Sequence, residues 1–275
     1  HNSDNETALP VHGVQTGSEL LKRILAERRK KWEKEHPGKK YKEPAEPDTS
    51  NLPELPKGWV WVTTDQLFDF VTSGSRGWAR YYSEDGVVFL RIGNLDHDTT
   101  SIDLSEIQYV NPPVGSEGTR TRVRAGDVLI SITADVGMIG LVSDVFEEAY
   151  INQHIALARP ILGVENKYLA WFLVSKDGQY QFKALQRGAT KTGLGLDDIR
   201  AVNIPLPSLP EQRMIIEKIE SGFSVAEEIE IEIETNLKRA ERLRQSILKK
   251  AFSGKLVPQD QNNKQSHVRR KRVLE

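Results

Sequence analysis

Within SGSRGWARYY (73–82), Arg76 and Arg80 alternate with Trp78, Tyr81 and Tyr82, between small residues that include Ser75. A guanidinium fork can take a guanine edge or a phosphate, and an aromatic ring packs on a sugar or a base. The competing reading is a folded loop whose aromatics belong to a core. A second set is Arg120, Arg122 and Arg124. Their period of two puts all three on one face of an extended segment, as a cationic stripe. Read blandly, the same stripe is a solvated edge protected from aggregation. Thr190, Lys191 and Thr192 add two hydroxyls and an ammonium on a turn, suited to phosphate or base edges and equally to an ordinary solvent loop.

Other chemistries fit less well. Asn111-Pro112-Pro113 is followed by Val114, not by the aromatic that an amino-methyltransferase stacks on a flipped base, and no glycine-rich cofactor loop precedes it. A proline turn between strands explains it. Gly188–Gly193 lacks the Gly-Lys-Ser/Thr ending of a phosphate loop. Asp96-His97-Asp98 alternates sides of an extended chain, so its side chains do not converge on a metal and an acidic turn is the better reading. No Ser–His–Asp arrangement can be argued, so no catalytic and no metal-ligating residue is assigned. The absence of cysteine excludes disulfides, thiolate zinc sites and cysteine nucleophiles and fits a reducing compartment.

The net charge of -1 makes positive charge a local property, concentrated in KRILAERRKKWEKEHPGKKYK (22–42) and VRRKR (268–272). Each run taken alone reads as a solvated face or tail. No apolar run is long enough to span a bilayer.

The elements that must position these residues follow from periodicity. Residues 1–57 read as a tail, a short amphipathic helix opened by the capping-box spacing Thr16–Glu19, and a stiff proline-rich linker. Residues 58–208 read as a compact α+β globule. Its strands are expected at 87–92, 127–133, 138–142 and 151–158, with a polar alternating strand over 117–127 and helices near 165–175 and 179–187. Pro205, Pro207 and Pro210 then break the strand pattern, and residues 209–254 read as one long helix starting at Pro210-Glu211 and ending at Ser253-Gly254. On it Ile219, Phe223, Ala226, Ile229, Ile233, Leu237, Ala240, Leu243 and Ile247 recur every three or four residues, about 3.5 on average, the period of a coiled-coil seam. Such a stripe needs a partner helix. Residues 255–275 read as a flexible basic tail. The stiff exit from the globule and the long rod suggest a part that measures distance, a scaffold more than a lone catalyst.

Taken in order, LPKGWVWVTTDQLF, GSRGWARYY, FLRIGNLD, GDVLISITADVG, INQHIALARP, GLGLDDIRAVNIPLPSLPEQRMIIEKIE and ILKKAFSGKLVPQD resemble the specificity subunit of type I restriction–modification systems, from about residue 53 to 260. The last two stretches are the most specific. The resemblance implies a target-recognition domain followed by a conserved spacer helix, a unit that a full subunit carries twice with the two helices antiparallel. It implies a double-stranded DNA adaptor, cytoplasmic and without chemistry of its own. Its partners would be methylation subunits using S-adenosylmethionine and, through the complex, a restriction subunit using ATP and Mg. The cofactors belong to those partners. The residues from Arg76 to Tyr82, Arg91 and Asn94, and Thr190 to Thr192 are carried over as candidate DNA contacts. Only one recognition unit is present, and GSELLKRILAERRKKWEKE (17–35) resembles what normally follows the first conserved helix, so the chain reads as the second half of such a subunit or as a half-size subunit that pairs with its own copy.

Overall fold

The computed structural model describes residues 15–74, 76–113, 115, 120–146, 148–186 and 193–257. Ser75, Val114 and Thr190 to Thr192 lie outside the described residues. The chain divides into two compact units, His1–Glu217 and Lys218–Glu275.

In the first unit, α1 (Gly17–Glu35) begins at a reciprocal cap: Thr16 Oγ1 accepts from the Glu19 N–H at 3.2 Å, and Glu19 Oε2 accepts from the Thr16 N–H at 2.8 Å. Leu20 and Ile24, one turn apart, are buried in the main core. The proline-rich residues after α1 form no ladder but are tied down. Ala45 exchanges bonds with the Thr63 hydroxyl and the Asp65 carboxylate, and Trp61 Nε1 donates to Pro53 O at 3.0 Å.

Three sheets follow. β1 (Val60–Thr63) pairs antiparallel with β10 (Asn203–Leu206), joining the two ends of the α+β globule. The second sheet has the order β2-β9-β6-β7, all antiparallel, from β2 (Phe68–Ser73), β6 (Val128–Ser131), β7 (Ile139–Leu141) and β9 (Ile155–Pro160). The third has the order β3-β5-β4-β8, from β3 (Tyr82–Ser83), β4 (Val87–Leu90), β5 (Gln108–Val110) and β8 (Ala149–Ile151); it is mixed, since β4 and β8 run parallel. The two four-stranded sheets enclose one core between them. Leu129, Ile155 and Leu157 of the second sheet meet Leu90, Ala149 and Ile151 of the third there. The alternate residues Val128, Ile130, Ala156 and Ala158 face the opposite way, into a core shared with α1, α2 (Thr64–Leu67), α3 (Asn166–Val174), α4 (Lys176–Leu185) and α5 (Leu196–Arg200). Because successive side chains in a strand take opposite faces, one apolar run serves two cores. Each such Leu or Ile contributes about 1.5–3 kcal/mol by burial.

The architecture is the expected α+β class, with a mixed and an antiparallel sheet, short helices and a long terminal helix. Two details differ from the sequence reading. INQHIALA is not one strand. Asn152 Oδ1 accepts from the His154 N–H at 3.1 Å and Asn152 O from the Ile155 N–H at 3.1 Å, and this turn passes the chain from the third sheet to the second. The expected strand over 117–127 is also absent from its described part, residues 120–127. The segment is held to β8 by the Val123 N–H donating to Ala149 O at 2.9 Å, then is bent out of line by a turn. That turn is built on Gly126, at φ 87°, and on Asp127, whose Oδ2 accepts the Arg124 N–H at 2.7 Å.

The long helix α6 (Leu209–Phe252) starts one residue earlier than expected. Ser208 supplies the cap: its N–H donates to Glu211 Oε2 at 3.0 Å and its hydroxyl to the same oxygen at 2.6 Å. Burial alone would raise the Glu211 carboxyl, but the bonds from Ser208 and from Trp59 Nε1 hold it below its ordinary value. At the other end Gly254 takes φ 68° and the Lys255 N–H bonds back to Lys250 O at 2.8 Å, closing the helix where Ser253-Gly254 predicts. In the second unit the seam residues Phe223, Ala226, Ile229, Ile233, Leu237, Ala240, Leu243 and Ile247 are all exposed, while Ile219 is half-buried.

Candidate nucleic-acid interface

The loop after β2 is anchored at both ends. Gly74 packs so tightly that a Cβ would lie 2.0 Å from Asn152 O, so no side chain fits there. Arg120 Nη1 donates to Thr72 Oγ1 and, at 3.1 Å, to Ser73 O, fixing the end of β2. Gly77 takes φ 74° and turns the chain into a short 3-10 turn over 78–81. Trp78 then enters a third apolar cluster on the outer face of the third sheet, with Phe89, Val110 and Tyr150. Its ring stacks on Phe89 at 5.6 Å and meets Tyr150 at 5.2 Å and Tyr81 at 6.0 Å. Burial, with the hydrogen bond to Glu148, pushes the Tyr150 hydroxyl up to about 12, while the Arg122 charge acts the other way. It therefore stays a neutral donor at working pH.

What the loop presents outward is Arg76, Arg80 and Tyr82. Arg80 lies over the half-buried Tyr81 ring at 4.7 Å, which holds its guanidinium in place. Trp78 is only 4% exposed and offers no face to a base, so for this residue the core reading wins over the contact reading. Asn94 is likewise turned inward. Its Oδ1 accepts the Arg91 N–H at 2.8 Å and its Nδ2 donates to Asp103 O and Glu106 O, which uses both Nδ2 protons. Arg91 keeps its Nε buried with no hydrogen-bond partner among the described residues, beside a cleft of about 320 Å³ lined also by Glu106 and Asn152. Half-buried at the rim of this cleft, Arg91 is more open to a ligand than the buried, fully bonded Asn94.

The arginine stripe keeps its alternation without being a strand: Arg120, Arg122 and Arg124 are exposed while Thr121 and Val123 are buried. Arg120 is partly spent on β2, as described. The segment is positioned by a pair the sequence reading missed. Asp127, its side chain 1% exposed, takes Arg159 in a two-pronged bond, 2.7 Å to each oxygen. Gly-Asp reads locally as a strand boundary, and only the β6–β9 pairing brings Arg159 beside it.

The remaining candidates are structural. Asn111 Nδ2 donates to Ser83 Oγ and Asp85 O, each at 3.2 Å, and so ties the β3–β4 turn. The backbone N–H of Asp98 donates to Asp96 Oδ1 at 2.7 Å, an acidic turn as expected, and no group of ligands suited to a metal ion occurs among the described residues.

The first unit thus offers an arginine–aromatic loop on an α+β frame, and the second a long helix with an exposed apolar stripe. The chain matches the family model of the type I restriction modification DNA specificity domain over residues 56–239, and it belongs to that family. It is 30% identical over 181 residues to the type I restriction enzyme EcoBI specificity subunit of Escherichia coli, covering 64% of this chain and 37% of that protein. To the EcoKI specificity subunit of Escherichia coli K12 it is 23% identical over 227 residues, covering 78% of this chain and 47% of that protein. A solved structure described for complex assembly and conformational transition of the type I R-M system aligns with a TM-score of 0.57 at 25% identity, covering 87% of this chain and 54% of that one. The chain thus spans about half, or less, of the length of the relatives it matches. Among the described residues no helix is long and apolar enough to cross a membrane.

Proposed function

We propose that this chain reads one half of a bipartite DNA target and delivers a type I restriction–modification assembly to it. The observation that carries this is the outward pair Arg76 and Arg80 on a loop pinned by Trp78, within a region matching a DNA specificity domain. A preorganised arginine fork suits base edges in the major groove, and Arg91, Arg122 and Arg124 suit the flanking phosphates. Ser75 and Thr190 to Thr192 complete the proposed contact set. The chain acts in the cytoplasm as an adaptor. Adenine methylation with S-adenosylmethionine belongs to the methylation subunits, and ATP- and Mg-dependent restriction to the restriction subunit.

The helix of the second unit pairs antiparallel with a second specificity half. Two features support this: the exposed seam, and a reversal of charge along it. Residues 217–234 hold seven acids and one base, whereas 238–255 hold seven bases and one acid. In a parallel pair like charges face each other, whereas in an antiparallel pair opposite charges do. With the seam fully overlapped on that of a second copy of this chain, Glu217 falls opposite Lys249, Glu227 opposite Arg239 and Glu228 opposite Lys238.

The test is co-purification with a type I methylation subunit, followed by mapping of methylated adenines. Replacing residues 58–208 by those of a relative is expected to change one half of the methylated sequence and leave the spacer intact. An unchanged target after the exchange overturns the assignment.

A further inference from the structure

The basic run of α1 and the residues after it has no role in the reading above, yet the fold gathers it into one place. A cleft of about 430 Å³ lies between α1, residues 40–42, β2 and the turn at Arg124. Six cations line it: Arg28, Lys31, Lys40, Lys42, Arg124 and Arg159. Only two acids do, Glu35 and Asp69, and Asp69 is already engaged by Lys31. Arg159 is engaged by Asp127. Among the described residues Lys40, Lys42 and the Arg124 side chain have no carboxylate within ion-pair distance. In a chain of net charge -1 this is a strong local excess.

The aromatic rings of the cleft walls are mostly engaged by their neighbours. Trp32 is stacked on His36 at 4.7 Å and packed against Tyr41 at 5.4 Å, and Phe70 is covered by Arg159 at 5.6 Å. That argues against a single-strand platform, which needs open ring faces. The free cations are chiefly lysines, mobile point charges that neutralise phosphates without reading bases. A second cleft of about 730 Å³ adjoins and shares Lys31, Arg124 and Arg159, but Asp69, Asp127, Asp144 and Glu165 also line it, so the positive excess is confined to the first cleft. Arg124 belongs both to that first cleft and to the arginine stripe of the candidate interface.

We infer that the cleft between α1 and the Arg124 turn is a second DNA-contact surface, one that grips the phosphate backbone of duplex flanking the bases read by the 74–82 loop. The inference rests on the DNA-binding reading, and the two can fail separately. Recognition is then divided, with sequence read by a pinned loop and much of the salt-dependent affinity supplied by a cleft shared between the N-terminal basic segment and the globule.

The experiment uses the full chain, alone and assembled with methylation subunits, in an anisotropy titration of a fluorescent 30-bp duplex (about three helical turns) at several salt concentrations. The triple variant Lys40→Gln, Lys42→Gln, Arg124→Gln is expected to weaken cognate and scrambled duplexes by the same factor and to lower the salt slope by about 2–3, at roughly 0.9 per phosphate contact. The charge-keeping triple Lys40→Arg, Lys42→Arg, Arg124→Lys is expected to restore the slope, which a purely structural role would not require. If the glutamine triple leaves the slope unchanged while Arg76→Ala weakens binding, the cleft is not a DNA surface and the loop reading stands. Loss of binding to anionic vesicles or to single-stranded RNA, with duplex binding intact, also overturns the inference. Wild-type chain that binds no duplex in either form at low salt overturns both readings.

Discussion

Trp78 and Arg80 are two residues apart in one loop, and the structure gives them opposite duties. Trp78 is 4% exposed and stacked on Phe89, so Trp78→Ala removes a whole ring from a packed cluster. Large-to-small changes of this kind cost about 3–5 kcal/mol, a large share of the roughly 5–15 kcal/mol that stabilises a domain. At about 2–4 °C per kcal/mol for a unit of this size, the midpoint of thermal unfolding falls by roughly 6–20 °C. Arg80 is exposed over the Tyr81 ring, so Arg80→Ala costs stability only about 0.5–1 kcal/mol. If its fork takes guanine, the same change relaxes preference at one base position by about 1–3 kcal/mol. Urea unfolding with the slope checked for constancy gives the first quantity, and binding to a panel of single-base variants gives the second. Trp78→Phe, which keeps a ring against Phe89, is expected to recover part of the stability and all of the base preference. The anchoring argument is refuted if Trp78→Ala unfolds within 1 kcal/mol (about one typical surface mutation) of wild type while base preference is relaxed. Trp78 would then be a reader.

Three further outcomes follow from the geometry. Asp127→Asn leaves Arg159 without its buried charge partner and is expected to cost about 3 kcal/mol in urea unfolding; a loss indistinguishable from zero would mean that the pair does not hold the arginine segment. Glu211 is held below its ordinary carboxylate value of 4.5, so its contribution is fully present above that pH and is lost as pH falls through the lowered folded value. Glu211→Gln should therefore flatten the acid side of the stability–pH curve below about 4.5, and an unaltered curve would exclude the Ser208 and Trp59 bonds as the cause. Ile229→Asp with Ile233→Asp changes residues 51% and 54% exposed, so thermal stability of the chain alone should move by less than about 0.5 kcal/mol while sedimentation shows helix pairing abolished; a pair that survives would place the interface on another face.

Local signals in the chain determined the elements, because each depends on neighbours within a few residues. The Thr16–Glu19 spacing sets the start of α1, Ser253-Gly254 stops α6, and the 3.5-residue recurrence marks an apolar stripe along α6. The ordered motifs were also enough to point to the family that the comparisons show. Which side of the fold each side chain faces was decided only by tertiary structure. Tyr82 and Trp78 are both aromatics of one decapeptide, but the β3–β5–β4–β8 sheet places one over the Phe89–Tyr150 floor and leaves the other exposed. Arg91 and Asn94 look like equal polar candidates, yet carbonyls nine and twelve residues after Asn94 take up its amide. The alternation of Arg120, Arg122 and Arg124 was legible, but not the turn at Gly126 and the Arg159–Asp127 pair that keep it from forming a strand. The basic run at 22–42 was plain in the sequence as a solvated face. Only the packing of Leu20 and Ile24 into the core brings that run beside Arg124 and Arg159, more than eighty residues away in the chain, where separate charges become one surface.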